Sequence, residues 1–288
     1  MARLNVQGLA RGDKGLMSTI VTHPGQTIVS IDLASGEPTV TTHYSQDPNY
    51  YAASFGMVGK APFYDPSGLL QISDIYLMTM SKSPMGAQRM REVFNTPWDG
   101  LTFGEQWLKD DEKIKKFLKP ERAFHKTLCL GLGYGMGPKK MVKSAYEKGY
   151  ELSLEHAQQF HKVYWTTFKG VKSFAQWCTR QVENRGYIVN EFGYRCTPQP
   201  FKAYNAFIQS SVSGIMHVFG RELIPLLPKH SRYLTCIHDE LLISVPTEQL
   251  EDAFKAKEQA TEILNDTLAW SVKIRTGWAP GKDWYTAK

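Results

Sequence analysis

Residues 232–245 have the sequence RYLTCIHDELLISV, in which two short β-prone runs flank His238, Asp239 and Glu240. Apolar runs separated by so few polar residues predict an antiparallel hairpin with the acidic residues at its turn. Apolar residues at helical spacing follow between residues 247 and 268, so we expect an amphipathic helix packed beside the hairpin. Its apolar positions are Leu250, Phe254, Ile263, Leu264 and Leu268.

A β-branched run near the other end of the chain also ends in an acid. Residues 26–32, QTIVSID, predict a buried strand that ends at Asp32. A helix should start directly after it, because Ser35 can cap free amides and Pro38 is tolerated in a first turn. We therefore expect a small antiparallel sheet built from both chain ends, with a mainly helical stretch from about residue 50 to 199 inserted between them.

Composition excludes several classes of protein. A chain of 288 residues that is 42% hydrophobic can form one large domain or two modest ones. Its longest apolar runs, such as residues 241–245, fall far short of the ~20 residues of a membrane-spanning helix, so we expect no membrane partner. The amino terminus lacks the apolar core of a secretory signal, which predicts a cytoplasmic protein. The net charge of +6 is compatible with a polyanionic partner but does not require one.

The cysteines are widely spaced and form no Cys-x-x-Cys pair, which argues against a zinc cluster or a disulfide scaffold. We expect them to be buried small side chains. They are Cys129, Cys178, Cys196 and Cys236.

Asp32 and Asp239 each follow a β-rich run of the expected sheet. Taken alone, either acid is more often a turn or cap residue than a ligand. Side by side, two carboxylates repel each other unless cations lie between them, and a divalent metal pair would relieve that repulsion. Mg²⁺ favours oxygen ligands and joins one or two carboxylates to substrate phosphates, as nucleotidyl transfer requires. Glu240 is either a third acid of this site or a neighbouring support.

A second group of candidate residues has helical spacing: Arg122, Lys126, Leu130 and Tyr134 are each four residues apart. This spacing places them on nearly one helix face. There the two cations could hold a triphosphate, the leucine could press on a flat base and the tyrosine could stack on a neighbouring base pair. The alternative is an amphipathic core helix with two surface cations. The glycines that follow do not match a phosphate-loop spacing and predict the end of the helix.

In order along the chain, Asp32-Leu-Ala-Ser-Gly-Glu37, Arg122-x-x-x-Lys126-x-x-x-Leu-Gly-x-x-Tyr134-Gly and His238-Asp239-Glu240 resemble the three signature motifs of family A DNA polymerases. Similar blocks extend the resemblance to nearly the whole chain, among them residues 4–7, 44–48, 74–75, 186–195, 205–209 and 281–284. The resemblance implies an α+β fold. A palm would comprise residues 1–49 and 201–288, and a helical fingers subdomain residues 50–200. No thumb or exonuclease domain is expected in this chain.

The resemblance also implies a role for each matching residue in template-directed DNA synthesis from deoxynucleoside triphosphates on primer–template DNA. Asp32 and Asp239 would bind two Mg²⁺ ions, with Glu240 assisting. Arg122 and Lys126 would hold the incoming triphosphate. The remaining roles concern the base, the sugar and the DNA: Leu130 would stack on the incoming base, Tyr134 would lie near the template base and Glu37 would favour deoxyribose. Asn5, Gln7, Asn205 and Gln209 would face the minor groove, and His238 would lie by the primer end.

Some positions depart from the family pattern. Leu130 stands where members usually carry Phe or Tyr, and Tyr76 where they usually carry a phosphate-contacting His. Thr39 stands where an Arg is common. The stretch between Tyr76 and Arg122 is longer than in the family, which suggests an added fingers element. We therefore expect the binding of the nucleotide or the fidelity of synthesis to differ from those of other family members.

Family members normally carry a thumb, and often a 3′–5′ exonuclease-like domain, ahead of the palm. We expect a separate polypeptide to supply them, with a deliberately truncated chain as the alternative. A phage is a plausible source, in which case the location would be the host cytoplasm. Two competing functions are a non-catalytic nucleic-acid-binding subunit and a single-subunit RNA polymerase. The intact Asp32, Lys126 and Asp239 argue against the first, and Glu37 with the spacing around Lys126 argues against the second.

Overall fold

The computed structural model describes residues 14–55, 75, 76, 79 and 112–287. Asn5, Gln7 and Asp74, for which the sequence analysis makes predictions, lie outside these residues. The prediction of an added element between Tyr76 and Arg122 concerns residues that are mostly outside them as well.

The helices and strands alternate in blocks along the chain. The helices are α1 (Lys14–Met17), α2 (Gly36–Ser45), α3 (Pro48–Phe55), α4 (Glu112–Gly133), α5 (Pro138–Glu147), α6 (Leu154–Thr167), α7 (Lys169–Arg185), α8 (Ala203–Leu223) and α9 (Leu250–Leu268). The strands are β1 (Gln26–Asp32), β2 (Ile188–Val189), β3 (Arg195–Cys196), β4 (Arg232–Ile237), β5 (Glu240–Pro246) and β6 (Ala279–Gly281). Helices thus dominate the described residues between β1 and β4, as the sequence predicts.

Strands from both ends of the chain form one antiparallel sheet, with the order β4-β5-β1-β6. Strand β1 pairs with β5 along its whole length, from Gln26 opposite Pro246 to Asp32 opposite Glu240. Residues 28–31 of β1 are buried, because the strand has a neighbour on each side and its apolar side chains are covered. The predicted sheet with a helical insertion is therefore confirmed.

The hairpin turn is shorter than predicted. Glu240 is the first residue of β5, where it pairs with Ile237 on β4 and with Asp32 on β1. Its backbone therefore belongs to the ladder on both sides, and only His238 and Asp239 remain in the turn. His238 has a φ of +56°, in the left-handed region that such a tight connection requires.

Helix α9 forms where predicted, but Phe254 does not join its buried face. The phenyl ring is 40% exposed and packs edge-on against Trp278. The buried positions of the helix are mostly small, namely Ala253, Ala256, Lys257, Ala260 and Leu264. The helix packs mainly through short side chains, so the one large ring among the predicted positions is left at the edge.

The chain divides into two compact units. Among the described residues, the first unit comprises 14–43, 189–194 and 208–287, and the second comprises 44–55, 75, 76, 79, 112–188 and 195–207. The first contains the four-stranded sheet and α9. The second contains α3 to α7 and has an aromatic core in which Phe160 and Phe168 are fully buried.

A buried aspartate organises the start of α3 in the second unit. Asp47 accepts hydrogen bonds from the backbone N–H groups of Asn49 and Tyr50 at 2.9 and 3.0 Å, which caps the helix. Its other carboxylate oxygen accepts from the N–H of Gly170 at 2.6 Å. Because an added Cβ at Gly170 would lie 2.8 Å from the Asp47 Cβ, the position has no room for a side chain.

Cys129 and Cys178 are buried, as expected, whereas Cys196 and Cys236 are half-buried. Burial raises the pKa of the Cys178 thiol, which therefore stays protonated. No helix in the described part of the chain combines the length and the apolar character needed to cross a membrane.

Candidate active site

The acids at the two ends of the chain are backbone neighbours in the first unit. Asp32 ends β1 directly opposite Glu240, and opposed Cα atoms in such a ladder are roughly 4.5–5.5 Å apart. The N–H of Leu33 donates to the carbonyl oxygen of Asp239 at 3.0 Å. Strand pairing therefore brings the segment of Asp32 against the turn of Asp239, although the two residues are far apart in sequence.

Glu240 is held by two hydrogen bonds inside the protein. Its side chain is buried, and Oε1 accepts from the Ser30 hydroxyl at 2.7 Å and from the Trp284 indole N–H at 2.9 Å. The two donors come from β1 and from the carboxyl-terminal segment. This geometry fits the interpretation of Glu240 as a support that fixes the start of β5 beside Asp32.

The Asp32 carboxylate lies against Gly277, a residue that the sequence analysis did not select. A Cβ added at Gly277 would lie 1.9 Å from Asp32 Oδ1, which is far too close for two atoms that are not bonded. The backbone N–H of Gly277 also donates to the carbonyl oxygen of Asp32 at 2.8 Å. Glycine at this position therefore leaves the space that the carboxylate occupies. No sequence signal distinguishes it from the other glycines.

The end of the hairpin carries a negative field. Burial raises the pKa of the Cys236 thiol, and the charges of Asp239 and Glu240 raise it further. Asp32 is exposed and Asp239 is partly exposed, so both can reach ligands from solvent. In the described residues no group of three or more His, Cys, Asp or Glu side chains is arranged to hold a metal ion. Two carboxylates are nevertheless a sufficient protein contribution for Mg²⁺ when substrate oxygens and water complete its shell.

Glu37 and Gln209 are brought together in the first unit. Glu37 lies in the first turn of α2, and its Oε1 accepts a hydrogen bond from Gln209 Nε2 at 2.5 Å. The family resemblance implies separate roles for these residues, one at the sugar and one at the minor groove, whereas the structure joins them by a hydrogen bond. Asn205 lies near the start of α8 and is partly exposed, and His238 is exposed.

Three of the four residues of the predicted stripe, Arg122, Lys126 and Leu130, lie on α4 in the second unit. Arg122 and Leu130 are partly exposed, and Lys126 is exposed. Tyr134 comes just after the last residue of the helix and is 43% exposed. The opposite face is buried and comprises Phe124, His125, Leu128, Cys129 and Leu132.

The Tyr76 ring supports both cations of the stripe. The guanidinium carbon of Arg122 lies 5.0 Å from the ring centroid, and the Lys126 ammonium lies 5.8 Å from it. Both distances are within the range of cation–π attraction. Tyr76 thus contacts the two cations that are expected to bind phosphate, at the position where the family usually has a His.

Comparisons with protein families and with curated proteins both identify DNA polymerases as similar to this chain. A family model described as DNA polymerase family A matches residues 85–286. Among curated proteins, the thermostable DNA polymerase I of Thermus filiformis is 25% identical over 219 residues, which cover 70% of this chain and 25% of that protein. DNA polymerase I of Lactococcus lactis subsp. cremoris is 22% identical over 194 residues, covering 62% of this chain and 21% of the relative. The chain therefore spans about a quarter or less of the length of these relatives.

A solved structure has the same fold. It is described as the POL domain of Pol1 from M. smegmatis in complex with DNA primer-template and dNTP. The TM-score is 0.70 at 20% sequence identity, and the match covers 99% of this chain and 45% of that one. At this identity the likeness establishes the fold, which agrees with the predicted α+β architecture.

Proposed function

Because this chain belongs to DNA polymerase family A, we propose that it catalyses template-directed addition of deoxynucleotides to a primer 3′-hydroxyl. The observation that carries the proposal is the pairing that sets Asp32 opposite Glu240 and beside the backbone of Asp239. Several relatives are named DNA polymerase I, and the solved neighbour contains primer–template DNA and dNTP. Both facts support the same partners for this chain.

Family membership implies the use of a divalent metal, and we assign two Mg²⁺ ions to Asp32 and Asp239. The exposure of Asp32, the partial exposure of Asp239 and the negative field at the hairpin end support this assignment. When bound, such a pair supplies activation of the 3′-hydroxyl and stabilisation of the pyrophosphate leaving group. Glu240 would act as a positioning residue, because its hydrogen bonds from Ser30 and Trp284 hold the start of β5, which directly follows Asp239.

The α4 stripe would bind the incoming nucleotide. Arg122 and Lys126 would contact the triphosphate, and the Tyr76 ring beneath them supports both cations in one orientation. Leu130 would press on the incoming base, and Tyr134 would lie near the template base. The cations neutralise charge that develops on the leaving group without a proton transfer of their own.

Glu37 would close the space beside the sugar C2′ and so favour deoxynucleotides. Its hydrogen bond from Gln209 limits the positions that the carboxylate can take. Asn205 and Gln209 would contact the minor groove with Asn5 and Gln7, and His238 would lie by the primer end. We assign residues 1–49 and 201–288 to a palm and residues 50–200 to fingers.

Two further expectations from the sequence stay predictions. A second polypeptide that carries a thumb and a 3′–5′ exonuclease should co-purify with the chain from its native source. The cytoplasmic location is tested by fractionation of the native cells.

Primer extension with Mg²⁺ tests the proposed activity, with deoxynucleotides and ribonucleotides offered separately. We expect extension with deoxynucleotides and near-total loss in Asp32→Ala and in Asp239→Ala. Asp266→Ala is the matched control, because it removes an exposed carboxylate from α9 in the same unit. Thermal melting establishes that each variant is folded.

The outcomes separate the competing functions. Activity retained in both alanine variants contradicts the metal assignment. A wild-type chain that binds DNA but extends no primer would support the non-catalytic nucleic-acid-binding subunit instead. Preference for ribonucleotides would support the RNA polymerase.

A further inference from the structure

Polar side chains form a row along one side of α9 in the first unit. Lys257, Thr261 and Asn265 are each four residues apart, which places them on one face of the helix. Lys257 is only 3% exposed, and Thr261 and Asn265 are partly buried. Polar groups in such positions need hydrogen-bond partners inside the protein. All three find partners in the segment of residues 274–277, shortly before β6.

Asn265 binds this segment in the way that a neighbouring strand would. Its Nδ2 donates to the carbonyl oxygen of Ile274 at 3.0 Å, and its Oδ1 accepts from the N–H of Ile274 at 2.7 Å. One side chain therefore satisfies both backbone groups of Ile274. One turn earlier in the helix, the Thr261 hydroxyl lies 2.8 Å from the Thr276 hydroxyl. We call Thr261 and Asn265 together the α9 clamp.

Lys257 adds a cation to the same contact. Its ammonium lies 3.5 Å from the carbonyl oxygen of Thr276, which is the long limit of a hydrogen bond, and it pairs with Glu258. The Phe254 ring covers the ammonium, with the ring centroid 4.8 Å away. Removing a buried cation from these neighbours would disturb charge and packing together. The α9 clamp is therefore the better place to perturb the segment.

The other side of the segment is bonded to the end of β1. Leu33 forms a β-bridge with Thr276. The N–H of Gly277 donates to the carbonyl oxygen of Asp32 at 2.8 Å, and the Asp32 carboxylate lies directly against Gly277. The segment is thus held by α9 on one side and by the strand end that carries Asp32 on the other.

We propose that Thr261 and Asn265 are positioning residues for the Asp32 carboxylate. They fix the segment that contains Gly277, and the Gly277 backbone is the wall against which the carboxylate lies. An exposed side chain has several staggered rotamers, and a fixed wall on one side reduces their number. A carboxylate that is already oriented loses less conformational freedom when it binds a cation. The identification of that cation as catalytic Mg²⁺ rests on the proposed function.

Binding of Mn²⁺, a paramagnetic probe for a Mg²⁺ site, tests this role without catalysis. It is measured by EPR on the protein without DNA or nucleotide, and Asp32→Ala identifies the binding that depends on this carboxylate. Asn265→Ala removes both hydrogen bonds to Ile274. It should raise the Kd of the Asp32-dependent Mn²⁺ about tenfold, the lower end of the range for residues that orient metal ligands.

The threonine of the clamp allows a conservative rescue. Thr261→Val removes the hydroxyl that meets Thr276 but keeps a β-branched side chain of similar size. This variant should weaken Mn²⁺ binding in the same direction as Asn265→Ala. Thr261→Ser keeps the hydroxyl and should restore the wild-type Kd.

Thr27→Val is the matched control. Thr27 and Thr247 form a similar pair of hydroxyls, 2.9 Å apart, but near the opposite end of β1 from Asp32. The control should leave Mn²⁺ binding unchanged. Urea denaturation of the same samples establishes that each variant is folded and measures the stability that it loses.

Single-turnover primer extension then separates positioning from a loss of folded protein. Asn265→Ala should raise the Mg²⁺ midpoint by the same factor as the Mn²⁺ Kd. It should leave KM for the deoxynucleotide at saturating Mg²⁺ unchanged, because the α4 cations that are expected to bind the triphosphate are unaltered. A smaller folded fraction alone would lower the amplitude of the reaction without moving the midpoint.

Each outcome supports or overturns the proposal. Reduced stability with wild-type Mn²⁺ affinity and Mg²⁺ midpoint in Asn265→Ala and Thr261→Val would overturn it, because the α9 clamp would then only support the fold. Mn²⁺ binding that is unaffected by Asp32→Ala would overturn it as well. A wild-type chain that extends no primer, but whose Asp32-dependent Mn²⁺ binding weakens in both clamp variants, would contradict the proposed function and support the positioning role.

Discussion

Replacing Gly277 with alanine tests whether the position of the Asp32 carboxylate matters for the reaction. The new Cβ would lie 1.9 Å from Asp32 Oδ1, whereas real Cβ atoms essentially never come within 3.0 Å of another heavy atom. The oxygen must therefore move by roughly 1 Å or more. A misplacement of about 1 Å in a catalytic group can cost about 10²-fold in rate, so kcat for primer extension should fall by about that factor.

Protein stability should change far less than activity in this variant. The Asp32 side chain is exposed, so the carboxylate can move into solvent without opening a cavity. The backbone at Gly277 is not in the left-handed region, so alanine is not excluded there by its φ angle. We expect the free energy of unfolding to stay within about 1 kcal/mol of wild type, as for a surface change outside the core.

The assay is single-turnover primer extension over a Mg²⁺ titration, with urea denaturation of the same samples. Gly137→Ala is the control, because its added Cβ meets nothing within 4 Å. We expect a lower rate and a higher Mg²⁺ midpoint for Gly277→Ala, and neither change for Gly137→Ala. A Gly277→Ala enzyme with the wild-type rate and Mg²⁺ midpoint would refute the reasoning, because the displaced carboxylate would then have no part in the reaction.

Three further predictions concern polar contacts in the first unit. Trp284→Phe keeps an aromatic ring but removes the N–H that donates to Glu240. The free energy of unfolding should therefore fall by about 2 kcal/mol. An unchanged midpoint of urea denaturation would contradict this prediction. Gln209→Ala removes the donor to Glu37 and should raise ribonucleotide incorporation, though less than Glu37→Ala does, in single-nucleotide extension assays. Hydrogen bonds from the backbone N–H and the hydroxyl of Thr286 lower the pKa of Asp283. The ionised Asp283 therefore stabilises the fold fully above the unfolded-state pKa of about 3.9. This contribution is lost as the pH falls through the folded-state pKa. Asp283→Asn should therefore lose less stability than wild type on acidification below about pH 4, as measured by thermal melting, and equal losses would contradict the assignment.

The elements that carry the candidate site could be predicted from local patterns. The run QTIVSID forms β1 with the predicted bounds, because β-branched residues between polar neighbours favour a buried strand. The four-residue spacing of Arg122, Lys126 and Leu130 places them on one face of α4, because a helix repeats every 3.6 residues. Both signals depend on residues that are close in sequence, so one chain is enough to show them.

Contacts between residues that are distant in sequence could not be predicted from such local patterns. Phe254 matches the helical pattern of α9 but is left exposed, because the sheet accepts mainly the small side chains of that helix. The hydrogen bond from Gln209 to Glu37 joins residues 172 positions apart. No periodicity encodes such a pair, because it exists only when both segments have been placed by the rest of the fold.

The sequence by itself determined which residues have the chemistry of the candidate site: the acids at a strand end and at a hairpin turn, and the cations on one helix face. Only the tertiary structure decided their surroundings. Glu240 became a strand residue bonded to Trp284, and Gly277 became the residue that leaves space for Asp32. The physical reason is that hydrophobic periodicity specifies which face of an element is buried, whereas close packing across the sheet specifies which atoms meet.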